Sequence, residues 1–445
     1  MAVWSEVSLH ELGAARRCDA EFFQPEFIQA EEKARRGNME LLGNLALSIA
    51  RGTQPEYIEG GEYLVLRSVN VQRGFLNDTR QEYVSAEFFM DNPRGQVQYG
   101  DVLMTSTGVG TLGRVTYNYS PDAHFADGHI AIMRDWVEVD PQYVALFLQT
   151  PTGIALIERR YRGSSGQIEI YPDDISSIPI PRFKPEEEGY IAALCRKSQQ
   201  RRKDSQILYA EAEAILLDTL GLNAPIISNE IGYEREFSQV MRAERFDAQF
   251  FHPYYQNAME ILRQQKTCLG DVALLARRQF KAERGQEFQY IEIGDLSGAG
   301  MAQSTPIDAE EAPSRAQWVV MEGDVITSTV RPIRRLSALI EPYQAGYVCS
   351  SGFAVLEPQT VPPELLLLYL RLPIIAEILD LHTTATMYPA IATDVLMKIP
   401  FSAPSEEVVK DIVGKVSQSR QAYYAAQHLL EEAKERVESM IAEAA

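Results

Sequence analysis

Arg17-Cys-Asp-Ala-Glu-Phe-Phe-Gln-Pro25 recurs later in the chain as Arg245-Phe-Asp-Ala-Gln-Phe-Phe-His-Pro253. One module is therefore present twice, and further matches follow in the same order. Leu42-Gly43 answers Leu269-Gly270, and the apolar run Tyr63 to Val71, ending in Asn70-Val71, answers Phe288 to Leu296, ending in Asp295-Leu296. Gly100-Asp-Val-Leu-Met-Thr-Ser-Thr107 answers Gly323-Asp-Val-Ile-Thr-Ser-Thr329, and Asp127-Gly-His-Ile-Ala-Ile132 answers Ser351-Gly-Phe-Ala-Val-Leu356. Tyr171-Pro172 and Asp174-Ile175 answer Tyr388-Pro389 and Asp394-Val395. Two copies, neither with a complete catalytic constellation, read as a two-headed recognition device rather than an enzyme.

A chain of 445 residues is too long for one ordinary core and suits two domains, each large enough to bury its own. With 45% apolar and 23% charged residues it reads as globular. No apolar run reaches the roughly 20 residues of a membrane span, and the start of the chain lacks a signal pattern, so a cytosolic location is expected. Cys18, Cys195, Cys268 and Cys349 lie far apart, with no histidine spacing that completes a zinc site, and read as reduced structural thiols. The 42 basic and 62 acidic residues leave a formal charge of −20. That excludes a uniformly basic nucleic-acid binder but not an acidic body with local basic patches, for which weak and salt-sensitive binding in isolation is expected.

Each copy opens with the signature and an amphipathic helix, Pro25 to Arg36 and Tyr254 to Gln264. In the first copy Tyr63 to Val71, Asp101 to Thr107, Arg114 to Tyr119 and His129 to Met133 then read as strands of a twisted sheet. Tyr143 to Glu158 and Pro363 to Leu379 read as helices, each followed by a polar loop. A long helix closes each copy, with Pro185-Glu-Glu-Glu188 and Pro404-Ser-Glu-Glu407 as first turns. Their heptad seams run through Ile191, Leu194, Ser198, Arg201, Ser205, Leu208, Ala212, Ile215, Thr219 and Leu222, and through Val409, Ile412, Val416, Ser419, Tyr423, Ala426, Leu430, Ala433, Val437 and Met440. Such a sustained repeat predicts helix-to-helix pairing through Ile191, Leu194, Leu208, Ile215, Val409, Ile412, Val416, Tyr423, Leu430 and Val437. The expected boundaries are a first domain over 1–183, a helix over 184–222, a linker over 223–236, a second domain over 237–402 and a helix over 403–445.

Several motifs fail in context. Gly108-Val-Gly-Thr-Leu-Gly113 matches a dinucleotide fingerprint, yet the β-branched and aromatic Arg114 to Tyr119 follows where a helix should begin. Asn92-Pro93-Arg94 and Asp140-Pro141-Gln142-Tyr143 lack the second proline that an amino-methyltransferase needs. Asp19 and Asp247 follow an arginine two residues earlier and precede paired aromatics, which favours a structural clasp over catalytic acids.

Basic and polar clusters remain. Arg159, Arg160 and Arg162 enter a small-residue loop with Ser164, Ser165 and Gln167, and Arg114 follows the glycine loop beyond Ser106 and Thr107. The second copy offers Arg277, Arg278 and Lys281, then Thr329, Arg331, Arg334 and Arg335, then Thr383, Thr384 and Tyr388. Arginine beside Ser, Thr, Gln and Tyr is the mixture that contacts phosphates and base edges together. These residues are the candidate DNA-binding set.

The arrangement resembles the specificity subunit of type I restriction-modification systems. The resemblance rests on Arg-x-Asp-Ala-x-Phe-Phe at Arg17 and Arg245, Gly-Asp-Val at Gly100 and Gly323, the loop Gly163-Ser-Ser-Gly-Gln167, Ile178-Pro179, Ile399-Pro400 and the closing helices. It implies an α+β fold in which two target recognition domains, each a twisted sheet with small helices, are held apart by two long antiparallel coiled-coil helices. It further implies a non-catalytic chain that reads a bipartite, asymmetric double-stranded DNA site and docks methyltransferase subunits, two in number. These carry S-adenosylmethionine, and a restriction and translocase subunit can join them. At about 1.5 Å per residue a helix from Pro185 to Leu222 is roughly 57 Å long. Against a DNA turn of about 34 Å, that suits half-sites one to two turns apart. The second copy departs from the pattern with Thr383-Thr-Ala-Thr-Met387 in place of the Gly-Ser-Ser-Gly-Gln loop. Two alternatives stay open: the specificity subunit of a type IIB-like enzyme, and an acidic protein-binding scaffold of a defence complex.

Overall fold

A computed structural model describes residues 4–15, 17–77, 81–163, 168–223, 232–243, 245–296, 300–384 and 387–444. The chain divides into two compact units, one made of Met1–Gln200 with Ala425–Ala445, the other of Arg201–Tyr424.

In the first unit two four-stranded sheets form, with two short two-stranded pairs beside them. Ala46–Arg51, Ile130–Trp136, Val102–Thr105 and Val115–Tyr117 lie side by side in that order, all antiparallel. Tyr83–Val84, Tyr63–Leu66, His124–Ala126 and Gln96–Val97 make the other, with Tyr63–Leu66 and His124–Ala126 parallel. All four residues of Val102–Thr105 are buried, as expected of a strand covered on both faces. Successive side chains point oppositely, so Val102 and Met104 join the helix-covered core with Tyr143, Phe147 and Leu156, while Leu103 packs with Leu66, Val97 and Ile132.

The second unit repeats the plan. Ala273–Leu275, Phe353–Pro358, Val325–Ser328 and Ser337–Leu339 form one sheet, and Thr305–Asp308, Glu287–Ile291, Val348–Ser350 and Ala316–Val319 the other, with its parallel pair between Glu287–Ile291 and Val348–Ser350. Val325 faces the Leu365–Leu370 core while Ile326 packs with Ile291, Val320 and Ala338. The mixed helix and sheet class read from the sequence is thus found in both units, with two sheets where a single one was expected.

Prolines correct two helices. The stretch Tyr143 to Glu158 is broken into Pro141–Phe147 and Pro151–Arg159, with Thr150 Oγ1 accepting from Gly153 N at 3.1 Å to cap the second. Pro363–Arg371 and Pro373–Leu381 divide likewise at Leu372. Proline brings no N–H and forces its predecessor out of the helical region, so each break falls just before it. The glycine loop Gly108–Gly113 leads into strand Val115–Tyr117, and no helix begins there.

The long helices span Pro185–Thr219 and Glu406–Glu443. In the first unit Ser198 Oγ donates to Ala426 O at 2.7 Å, Tyr190 OH to Glu432 at 3.1 Å and Arg436 to Glu187 at 3.3 Å, an antiparallel register. Ala433, Val437, Met440 and Ile441 complete that unit's core beside Ile191 and Leu194, and Glu438 caps a short helix by accepting from Thr152 N and Oγ1, both at 2.8 Å. In the second unit Ser205 Oγ meets Ser419 Oγ at 3.1 Å and Lys415 donates to Glu211 at 2.6 Å, again antiparallel. There the buried line runs Ser205, Tyr209, Ala212, Leu216 and Leu220. Ser205 and Ala212 of the expected seam lie on that line, but Leu208 and Ile215 are only half-buried and Arg201 is exposed, so the alternate seam positions fall one residue early, before Tyr209 and Leu216. A helix of 3.6 residues per turn that packs on a broad globular core drifts from a strict seven-residue repeat. On the partner helix Ile412, Val416, Tyr423 and Val437 are buried and Val409 and Leu430 half-buried.

Candidate nucleic-acid interface

The repeated signature folds as a clasp. Arg17 Nε donates to Asp19 Oδ1 at 2.8 Å, its Nη2 reaches Tyr161 O at 2.8 Å, and its guanidinium lies 4.7 Å from the Phe22 ring centre. Arg245 donates to Asp247 at 2.7 Å and lies 4.5 Å from Phe250. The Arg17 hydrogen bond holds the Asp19 carboxyl below its usual range. Both carboxylates are taken up locally, and Phe23, Phe250 and Phe251 are buried behind them.

Two arginines of the candidate set are consumed beside the clasp. Arg160 is 5% exposed, donating to Ser177 Oγ at 2.9 Å, Leu156 O at 2.9 Å and Ser177 O at 3.0 Å while pairing with Glu31 at 3.0 Å. Arg159 stacks on Phe22 at 4.3 Å and pairs with the same carboxylate at 3.4 Å. Burial works against charge on Glu31, yet Arg160, Arg35 and Arg159 outweigh it and hold the carboxyl below its ordinary value. Arg159 and Arg160 are therefore framework residues, a correction: a guanidinium largely buried among an ion pair and ring or hydrogen-bond partners is not offered to DNA.

What remains exposed in the first unit gathers where strand Val102–Thr105 ends. Ile170 N donates to Ser106 O at 3.0 Å, and Arg162 and Glu169 exchange backbone hydrogen bonds of 2.8 Å, so the two loops are laced together. Arg51 donates to Glu169 Oε2 at 3.0 Å and to Ile170 O at 2.9 Å, with its guanidinium 4.8 Å from the Tyr171 ring centre. Arg162 reaches Asp174 at 2.5 Å and Thr107 Oγ1 lies 2.6 Å from His129 Nδ1. Arg114 bridges Gln72 and Gly110 O, both at 2.9 Å. Ser106 is fully buried, which removes it from the contact set; Ser164, Ser165 and Gln167 lie outside the described residues.

The second unit builds the same corner from other side chains. Ile391 N donates to Thr329 O at 2.9 Å, and Thr384 and Ala390 exchange hydrogen bonds of 2.9 and 3.1 Å. This lattice places Thr329 where the first unit has Ser106, Ala390 where it has Glu169, and Thr384 where it has Arg162. Three matches read from the sequence shift accordingly. Ile130 pairs with Thr105 and Phe353 with Ser328, so Thr105 answers Ser328 and His129 answers Gly352. Tyr171 answers Ala392, and Tyr388 stands earlier in its loop. Short gaps sit in the loops, and a slip of one residue reverses which face a side chain takes.

Strand pairing likewise sets Arg51 opposite Ala131 and would set Arg277 opposite Ala354. Arg51, absent from the sequence reading, is thus the counterpart of Arg277, and aligning the strands by their buried alternation would have revealed it. Arg277, Lys281 and Arg334 are exposed and, among the described residues, make no ion pair. Arg331 lies 5.5 Å from the Tyr388 ring centre and donates to Met387 O at 3.2 Å. Other members of the set are structural. Arg278 pairs with Asp324 and, at 3.1 Å, with Glu357; Arg335 binds Glu213 at 2.7 Å and Arg371 O. Thr329 is buried, bonding Gly352 O at 2.9 Å, and Thr383 Oγ1 satisfies Asp380 O at 2.7 Å at a helix end. Asp324 and its counterpart Asp101 both hold a turn, accepting from Met321 N at 2.7 Å and Gln98 N at 2.8 Å. Burial raises both carboxyls despite the Arg278 and Arg134 beside them.

Among the described residues no helix is long and apolar enough to cross a membrane, and no group of three His, Cys, Asp or Glu is placed to hold a metal ion.

No family model matches the chain. It is similar to the HindI type I restriction enzyme specificity subunit of Haemophilus influenzae, with 24% identity over 149 residues, which is 33% of this chain and 32% of that protein. The match spans about a third of the relative. Among solved structures, the type I restriction-modification S subunit from M. genitalium aligns over 91% of this chain and 94% of its own, with 13% identity and a TM-score of 0.41. The HsdS subunit from Thermoanaerobacter tengcongensis aligns over 92% and 96%, with 16% identity and a TM-score of 0.28. The curated relative is of the type that the repeated motifs resemble.

Proposed function

We propose that this chain is a DNA sequence-specificity subunit of a type I restriction-modification complex, each unit reading one half of a bipartite duplex site. The observation that carries the reading is the corner built twice on one hydrogen-bond lattice and furnished with different side chains. Arg51, Arg162, Glu169 and Tyr171 stand in one; Arg277, Thr384, Arg331 and Tyr388 stand in the other. A shared scaffold with divergent exposed donors and aromatics is what two different half-sites require. The framework consumes Arg159, Arg160, Arg278 and Arg335, and Arg51, 20% exposed, is spent largely on Glu169 and Ile170 O, so few cations of the candidate set are left for phosphates on a body of net charge −20. Tight binding then depends on partners. In this reading the chain performs no chemistry, and methyltransferase subunits that carry S-adenosylmethionine dock on it.

The test is co-expression with the neighbouring candidate methyltransferase and sequencing of host DNA for modified bases. A motif of two fixed halves and a fixed gap, lost when this chain is omitted, supports the proposal. A stable complex that leaves no motif turns belief to the protein-binding scaffold.

A further inference from the structure

The exposed part of the second unit's corner is apolar to an unusual degree. Ile333 is 49% exposed, Met387 76% and Tyr388 68%, on two adjoining loops tied by the hydrogen bond from Arg331 N to Pro389 O at 2.8 Å. The turn Pro332–Arg334 that lifts Ile333 outward is bracketed by Arg331 and Arg335, whose φ values of 51° and 58° are left-handed for residues with a Cβ. A left-handed backbone is strained for residues with a Cβ, and strain of this kind persists where the local shape matters. The cations around the patch are Arg331 and Arg334, the latter exposed and, among the described residues, without an ion pair. In the first unit the described residues of the same corner are mixed: Arg51, Glu169, Arg162, Thr107 and His129 stand there with Val109, 71% exposed on the glycine loop.

We propose that the second unit reads its half-site through the 5-methyl groups of thymine, with Ile333 and Met387 as the contacting side chains and Arg331 and Arg334 on the flanking phosphates. Resting on the proposed function, the inference adds the chemical feature that is read. Apolar side chains offer a base edge no hydrogen bond, and in the major groove the thymine methyl is the one apolar group presented. The two arginines supply the charge complementarity that a hydrophobic patch alone lacks, and this selects a polyanion over an apolar protein surface.

The experiment uses the full chain in complex with its methyltransferase and a duplex carrying the identified motif. Thymines are replaced by deoxyuridine in one half-site at a time, which deletes only the methyl. Loss of affinity of roughly three- to fivefold per contacted methyl is expected in the half-site that the second unit reads. Ile333→Ser and Met387→Ser should each weaken that sensitivity, and Tyr388→Ala serves as a second exposed variant should either disturb folding. Binding unchanged by deoxyuridine in both halves overturns the inference, as does a sensitivity that none of these variants alters. Variants that release the methyltransferase while DNA discrimination persists overturn it too, in favour of a protein contact. A complex with no preferred sequence at all would instead strike at the proposed function.

Discussion

Arg335 closes its turn where Gly113 closes the equivalent one, and the two share a left-handed backbone, with φ of 58° and 77°. Thr105 O accepts from Gly113 N, and Ser328 N donates to Leu336 O just beyond Arg335, so the turns hang on matching strand ends. The first copy meets the positive φ with glycine, without strain. The second meets it with arginine and anchors that side chain on Glu213 and Arg371 O.

Removing the strain at the other end of that turn separates stability from recognition. Arg331→Gly should leave unfolding within about 1 kcal/mol of the parent, since strain relief offsets the larger chain entropy of glycine. DNA binding by the assembled complex should weaken evenly across sequences, with the slope of log affinity against log salt reduced by about one. Urea denaturation and titration of a labelled duplex measure the two sides.

Arg160 and Arg162, two residues apart, should behave differently. Arg160→Ala leaves Glu31 buried against fewer partners and should destabilise the first unit by about 3 to 5 kcal/mol. Arg162→Ala removes a half-exposed guanidinium but leaves the buried Asp174 carboxylate one partner short, so it should cost about 1 to 3 kcal/mol of stability and act on DNA binding as well. A thermal melt of each variant decides between them.

Glu31 sets an acid limit. Its folded carboxyl lies below the ordinary value of 4.5, so its stabilisation is complete above that value and is lost as pH falls through the lower folded one. Urea midpoints across pH 3 to 7 should therefore drop on the acid side for the parent, as a rough guide from that linkage. Glu31→Gln should start lower and show a shallower decline.

The paired serines in the helix seam give a third contrast. Ser205→Ala alone leaves the buried Ser419 hydroxyl with one partner fewer and should cost about 1 to 2 kcal/mol. Ser205→Ala with Ser419→Ala should cost less than the two singles added. A double-mutant cycle in urea reads the coupling.

Leu208→Asp should disturb folding far less than Tyr209→Asp. Tyr209 is buried and its hydroxyl accepts from Arg371 Nε at 2.7 Å, whereas Leu208 is half-exposed. Circular dichroism melts of the two variants compare them directly.

The duplication, the strand runs and the two long helices were legible because each rests on local chemistry: a repeated string, β-branched runs between turn residues, and proline with acids at a helix start. The helix breaks at Thr150-Pro151 and Leu372-Pro373 were read through, because each stretch is continuous by periodicity, although proline marked them. The seam through Tyr209 and Leu216 was not legible, because one residue of drift leaves the heptad intact on paper and only the packed core says which line is inside. Among the arginines, type and neighbourhood pointed to contact surfaces, but pairing decided the outcome. Glu31 lies far from Arg160 in sequence, as Glu213 lies far from Arg335, and only folding brings them together. Arg51 was missed because a lone arginine at a strand end has no cluster to mark it.

The first unit takes its last core residues, Ala433 to Ile441, from the far end of the chain, whereas the second is one unbroken stretch. On the ribosome the second unit has all its residues before the first does, although the first is begun earlier. Until Val437 and Met440 emerge, the first unit must wait with an apolar face uncovered, a period in which chaperones or proteases meet it. A premature stop near Tyr424 would accordingly disable the half of the protein translated first.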